Sequence, residues 1–318
     1  MSMFKKVEET KSGVKVLGFG TTGTGKTLFA LSFPESCAID AEDGMAYYKG
    51  KNKNLKYILN STSADDVEEA LEEIEDMTDD IKTFITDSET KIYENMQHSA
   101  LNIAERRARQ KGQSVDDSNI SQREWGKIKL INKRIQATKI MLASKGINII
   151  SIAQQKEIKE KKGDNWVVIG YAPDTAKGFE YDYDIVLRFF TETNPKTGEE
   201  SYKAEVIKDR TQKYKKGSII ENPSYENWRD IVEGKANLKE DIINFKKDIA
   251  KDEDKLKSEL EELEGLTSDF KKLMKDLDDS KKKEVVKYSK EIGVDNPLKC
   301  TDLDLLRKLY EFAKELDK

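Results

Sequence analysis

The chain has 318 residues, 37% of them charged, and 56 Lys and Arg against 61 Asp and Glu leave a net charge of −5. That balance excludes a globally basic nucleic-acid binder, though not a local basic patch. His98 as the sole imidazole excludes a multi-histidine zinc site and opposes a Ser-His-Asp triad, while Cys37 and Cys300 form no CxxC pair. No apolar run approaches the ~20 residues of a membrane span and no signal-peptide core opens the chain, so a cytoplasmic protein without a membrane partner is expected.

Length suggests about two domains. Val14 to Phe19 reads as a short apolar strand ending in a glycine-rich turn, and Ser36 to Asp40 as a second strand. Val67, Ala70, Leu71, Ile74 and Met77 recur at helical spacing over 63–77, with Ser63 and Asp66 as a capping box. Thr83 to Asp87 is a third strand, followed by a helix to about Gln110 and a polar loop over 111–120. A second capping box, Ser121 with Glu124, opens a helix through Leu142 that Gly146 ends, and Ile147 to Ala153 is a buried strand. The chain is polar and basic from 155 to 172. Two alternating strands follow, 184–192 and 201–209, joined by a hairpin loop with Pro195 and Gly198. Strands alternating with helices predict an α/β fold: a mainly parallel sheet covered on both faces, with a late antiparallel hairpin.

A composition break near 235 divides residues 1–234 from a helical region, 235–318, in which 42 of 84 positions are charged. Ile242, Phe245, Ile249, Leu256, Leu263, Leu266, Phe270 and Leu273 share the a and d positions of one heptad frame, interrupted by Asp252 and Glu259. Thr267 to Asp269 could cap a fresh helix. The expectation is a long helix leading into a small helical bundle. It would serve as a docking module for DNA or another protein, or as a stabilising appendage with a solvated face.

Residues 20–27 read Gly20-Thr21-Thr22-Gly23-Thr24-Gly25-Lys26-Thr27, which satisfies GxxxxGK[ST] between a strand and a helix. Backbone N–H groups freed by the glycines form a nest for a polyphosphate, Lys26 supplies a point charge, and the Thr27 hydroxyl can ligate Mg²⁺. Asp87, at the end of an apolar strand, is the matching metal carboxylate. In an ordinary AAA+ enzyme a Glu would directly follow that Asp; here Ser88 follows it. A further acidic cluster, Asp40, Glu42 and Asp43, ends the second strand.

The run of strand, P-loop, helix, CAIDAE, a strand ending in Asp-Ser and an apolar strand ending in Gln resembles the RecA-like ATPases over about residues 14–232. The resemblance implies ATP and Mg²⁺ as cofactors, Glu42 as the catalytic carboxylate (Glu89 as second choice) and Gln154 as the γ-phosphate sensor. It also implies that Lys208 and Arg210 reach the γ-phosphate of a neighbouring subunit, so that the active form is a homo-oligomer, a ring or a filament. Single-stranded DNA would bind two loops, about 105–120 with Arg106, Arg107, Arg109 and Lys111, and 155–172 with Lys156, Lys159, Lys161, Lys162 and Trp166. Structural readings compete for both: Arg106 to Arg109 as a solvated helix face, and Trp166 packed under a β-hairpin. The family's adenine-stacking tyrosine position is Lys49 here, just after Tyr47 and Tyr48. Among RecA-like proteins the compact layout is most similar to phage-encoded single-strand annealing or recombination ATPases. A DnaB-like helicase core or helicase loader, or a nucleotide-gated scaffold for a replication protein, is the alternative.

Overall fold

The computed structural model describes residues 4–116, 118–235 and 238–317. It divides the chain into two compact units, Met1–Ile243 and Asn244–Lys318.

In the first unit the elements run β1 (Lys15–Gly20), α1 (Lys26–Ala30), β2 (Ser36–Asp40), β3 (Leu55–Leu59), α2 (Ala64–Asp76), β4 (Thr83–Asp87), α3 (Glu89–Gln110) and α4 (Gln122–Ser144). They continue with β5 (Asn148–Lys162), β6 (Asn165–Pro173), β7 (Ile185–Thr193), β8 (Glu200–Asp209), β9 (Ile219–Glu221) and α5 (Arg229–Gly234). The strand order among the described residues is β3-β2-β4-β5-β1-β7-β8-β9, with β6 paired to β5. Strands β1 to β5 and β7 pair in parallel, whereas β8, β9 and β6 join antiparallel. This is the α/β P-loop architecture.

Strand alternation sorts the apolar residues into two cores. Leu17, Phe19, Ile149 and Ala153 face Val67, Leu71, Ile74, Ile92, Ile128 and Leu142 of the helices α2, α3 and α4. Val16, Ile150, Ile152, Leu187 and Phe189 face the opposite side, where Phe29, Phe33 and Trp228 pack. Trp228 is fully buried and meets Phe29 edge-on at 6.3 Å. Each large apolar side chain so buried contributes roughly 1.5–3 kcal/mol, so the strands nearest the glycine turn are held rigidly.

The caps form largely as the spacing predicts. Ser121 and Glu124 make a reciprocal capping box on α4. Ser63 accepts from the Asp66 N–H, but Asp66 turns its carboxylate to the Ser61 hydroxyl at 2.5 Å, so that box is only half formed. Two expectations change. The edge strand β3 is absent from the sequence reading, because its exposed Lys56 and Tyr57 break the apolar run. The segment 155–172, expected as a DNA-binding loop with a β-hairpin over 165–171 as the competing reading, is one two-stranded hairpin. Strand β5 continues through Lys162, turns at Gly163 (φ 64°) and returns as β6. Its first six residues are buried and the rest stand clear of the core, so solvated charges occupy both faces and mask the alternation.

The second unit comprises α6 (Phe245–Asp276), α7 (Asp279–Glu291) and α8 (Leu303–Asp317). Its core holds Phe270, Met274, Leu277, Val285, Leu306, Leu309 and Ala313, with Tyr288 stacked on Phe312 at 4.3 Å. Thr267 to Asp269 lie inside α6 and cap nothing; the new helix begins instead at Asp278, whose carboxylate accepts the N–H groups of Ser280 and Lys281. The apolar frame reaches this core only from Leu263 onward, and Ile249, Leu256 and Leu260 remain exposed.

Candidate active site

Strand β1 ends at Gly20, which its neighbour β7 approaches so closely that a Cβ there would lie 2.3 Å from the Phe189 carbonyl oxygen. The chain then curls through Gly23 and Gly25 at φ 72° and 85°, a left-handed backbone that glycine adopts without strain. Thr24, buried, donates from Oγ1 to the Thr21 carbonyl at 2.9 Å and closes the turn. The loop borders a cavity of about 620 Å³ that is also lined by Lys26, Thr27, Glu42, Tyr48, Asp87, Ser88, Gln154, Gln155 and Tyr202. Because α1 has only five residues, the backbone nest rather than a long helix dipole supplies the positive field.

Parallel register brings four strand ends to this cavity. Gly20 pairs with Gln154 across β1 and β5, and Asp40 pairs with Asp87 across β2 and β4. The Thr27 hydroxyl donates to Asp87 Oδ2 at 2.6 Å, and Lys26 Nζ donates to the Thr21 carbonyl at 2.6 Å. Asp40 is buried and its carboxylate accepts the N–H groups of Glu42, Gly44 and Met45 at 3.3, 3.0 and 2.8 Å. That turn presents Glu42 to the cavity, where its Oε1 accepts from Ser88 Oγ at 2.6 Å and from Gln154 Nε2 at 2.8 Å. Burial pushes Asp87 up to about 6, reinforced by Glu42 and Asp40 and opposed by the Thr27 hydrogen bond and Lys26. Burial likewise lowers Lys26, against the attraction of Asp87 and Glu42.

A magnesium-nucleotide fits this donor set. Among the described residues there is no cluster of three His, Cys, Asp or Glu able to enclose a metal alone. The Thr27 hydroxyl and Asp87 carboxylate offer two hard oxygens in contact, which suits an ion that completes its shell with phosphate oxygens and water. The open side of Gly23, where a Cβ would meet nothing within 4 Å, leaves the nest free for phosphate.

The structure separates the remaining candidates. Glu89 points away from the cavity into the core and pairs with buried Lys139, while Ser151 Oγ donates to its Oε1 at 2.5 Å. Lys208 and Arg210 lie beside the start of β7, where Lys208 pairs with Val186, whereas Gly20 pairs with Phe189. They are therefore at the other end of the sheet from their own chain's P-loop. Lys208 Nζ donates to the carbonyls of Tyr183, Glu180 and Tyr181, and Arg210 to that of Tyr181. Arg106, Arg107 and Arg109 are exposed on the last turns of α3 rather than on a loop; Arg107 pairs with Glu124 and Arg109 with Glu105. In the loop that follows, Asp117 lies outside the described residues. On the β5–β6 hairpin Lys156 pairs with Asp174 and Lys159 with Glu157, while Lys161 and Lys162 are exposed. Trp166 is 67% exposed and packs under nothing. His98 is exposed and Cys37 half-buried.

Two contributors, Tyr202 and Arg188, and the role of Asp40 within its acidic cluster escaped the sequence reading. Asp40 acts by holding the Glu42 turn, a role visible only in its hydrogen bonds. Tyr202 reaches the P-loop from β8, across 180 positions of chain. Arg188 on β7 donates to Gln155 Oε1 at 3.1 Å and lies over the Tyr171 ring at 4.2 Å, fastening the hairpin base beside the cavity. No spacing motif signals any of them.

No curated protein matches the sequence. A family model described as an AAA domain matches residues 12–214, the span from the start of β1 through β8. With Ser88 after Asp87 and Glu89 sequestered by Lys139, the second carboxylate that lines the cavity beside Asp87 is Glu42, on the turn after β2. On the match and the P-loop geometry together, the chain belongs to the AAA-domain family of P-loop ATPases.

Proposed function

We propose that this ATPase is RecA-like and Mg²⁺-dependent, of the phage recombination type, and that it assembles on single-stranded DNA in the cytoplasm to promote annealing or recombination. The observation that carries the reading is the β5–β6 hairpin: it springs directly from Gln154, whose side chain donates to Glu42, and it carries Lys156, Lys159, Lys161, Lys162 and exposed Trp166. Lysines of this kind track phosphates and an exposed indole stacks on a base. The exposed arginines at the other end of α3 would offer a second, separate basic segment.

In this reading the P-loop amides and Lys26 bind the polyphosphate, and Thr27 and Asp87 hold the metal. Mg²⁺, when bound, neutralises charge on the transferred phosphoryl oxygens. Glu42 orients and deprotonates the attacking water, and Ser88 and Gln154 fix its carboxylate. Gln154 links that carboxylate to the hairpin through the backbone and through the Gln155–Arg188–Tyr171 contacts. Lys208 and Arg210, remote from their own cavity, serve the site of a second copy, and residues 235–318 dock a replication or recombination protein. The test is the ATPase rate with and without single-stranded DNA across a salt series. Stimulation that fades as salt rises is expected. A rate indifferent to DNA favours a nucleotide-gated scaffold, and strand displacement on a forked duplex favours a helicase or its loader.

A further inference from the structure

We propose that Tyr202 is the platform on which the base of the bound nucleotide stacks. The inference rests on reading the P-loop cavity as a nucleotide site and names the part of that site which selects a base-bearing ligand over bare polyphosphate. A purine needs a flat apolar surface beside the phosphate nest. Most of the cavity wall is polar: threonines of the loop, Glu42, Ser88, Gln154 and Gln155. Two aromatic side chains line it, Tyr48 and Tyr202. Tyr48 is packed against the buried cluster around Phe29 and Trp228 and is committed there. Tyr202 belongs to none of the buried clusters among the described residues and stays 40% exposed.

Its position follows from register. Tyr202 pairs with Thr191, two residues beyond the Phe189 that pairs with Gly20, so it stands past the end of β1 at the height of the loop. Its ring flanks Gly25 where the loop enters α1: a Cβ on Gly25 would lie 3.3 Å from the ring. A glycine there lets the tyrosine close against the loop while the residue stays 40% exposed. The two nearby alternatives are spoken for or turned away. Lys49 donates to the Asn60 side chain at 3.0 Å, and Tyr47, 83% exposed, is not part of the cavity lining.

The experiment measures binding of Mg²⁺-ATP and of inorganic tripolyphosphate by calorimetry to the full chain and to Tyr202→Ala, Tyr202→Phe and Lys26→Ala. Tyr202→Ala should bind ATP about tenfold more weakly, the worth of one base–aromatic stack, yet bind tripolyphosphate like the unmodified chain; Tyr202→Phe should bind both normally. ATP binding unchanged in Tyr202→Ala overturns the proposal. Equal loss of ATP and tripolyphosphate also overturns it, because the ring would then merely prop the P-loop. Failure of the unmodified chain to bind either ligand, or indifference to Lys26→Ala, overturns the underlying reading of the cavity as well.

Discussion

Replacing Asp87 by Asn should raise the stability of the nucleotide-free, metal-free protein at neutral pH while abolishing turnover. Asp87 is 4% exposed, and burial lifts its carboxyl from 3.8 to about 6. A carboxyl raised by folding binds its proton more tightly in the native state, so native stability falls as pH rises through that interval. At about 1.4 kcal/mol per pH unit, the charged carboxylate costs the native state about 3 kcal/mol at pH 7.5. The amide is neutral, nearly isosteric and can still accept from Thr27 Oγ1. For a unit of this size 3 kcal/mol corresponds to roughly 6–12 °C in Tm. Thermal unfolding of both proteins in chelator, from pH 4 to 8, reads the effect. The variant should melt higher at pH 7.5, and the gap should shrink as pH falls through 6 and close near 4. Adding Mg²⁺-ATP should raise the Tm of the unmodified chain and do little for the variant, because the carboxylate that burial penalises is the one that the metal rewards. A variant no more stable at pH 7.5, or a gap indifferent to pH, would refute the reasoning.

Three further outcomes follow from particular contacts. Glu42→Gln should still bind ATP, and its turnover should fall by about 10²–10⁴-fold, the scale of a lost general base; undiminished hydrolysis would remove Glu42 from the mechanism. Lys139→Met strands Glu89 as an unpaired charge in the core and should destabilise the fold by about 3–5 kcal/mol. The double variant Lys139→Met/Glu89→Leu should recover much of that in urea unfolding, and an additive loss would show that the pair is not coupled. Arg210→Ala chains mixed with Lys26→Ala chains should regain ATPase activity at interfaces that combine one intact P-loop with one intact finger; no recovery at any mixing ratio counts against a role in trans.

Much of the core was legible because its signals are local. GxxxxGK[ST] names the phosphate nest by itself, since glycine adopts the left-handed backbone angles at 23 and 25 without strain. The runs at 36–40 and 83–87 are short, apolar and closed by Asp, and they form strands with those bounds. The hairpin was harder. Residues 155–172 alternate, but with solvent on both faces the alternation carries no hydrophobic contrast, and the charges read as a loop. The tail misled in the opposite sense: its heptad frame runs from Ile242 to Leu273, interrupted at Asp252 and Glu259, yet α7 and α8 give the frame a partner only from Leu263 onward.

What the sequence determined by itself is the chemistry available: a P-loop lysine and threonine, an acidic strand end at Asp87, and Glu42 and Gln154 as polar strand-end groups. These follow from residue type and near-neighbour spacing, which the chain carries without folding. Only the tertiary structure decided which of two acids serves the cavity. Pairing of Gly20 with Gln154 and of Asp40 with Asp87 sets Glu42 against Ser88 and Gln154, while buried Lys139 draws Glu89 into the core. It also placed Tyr202 beside Gly25 and sent Lys208 and Arg210 to the far end of the sheet. Those outcomes depend on strand register and on a buried charge finding its partner, which are properties of the whole sheet and of no single segment.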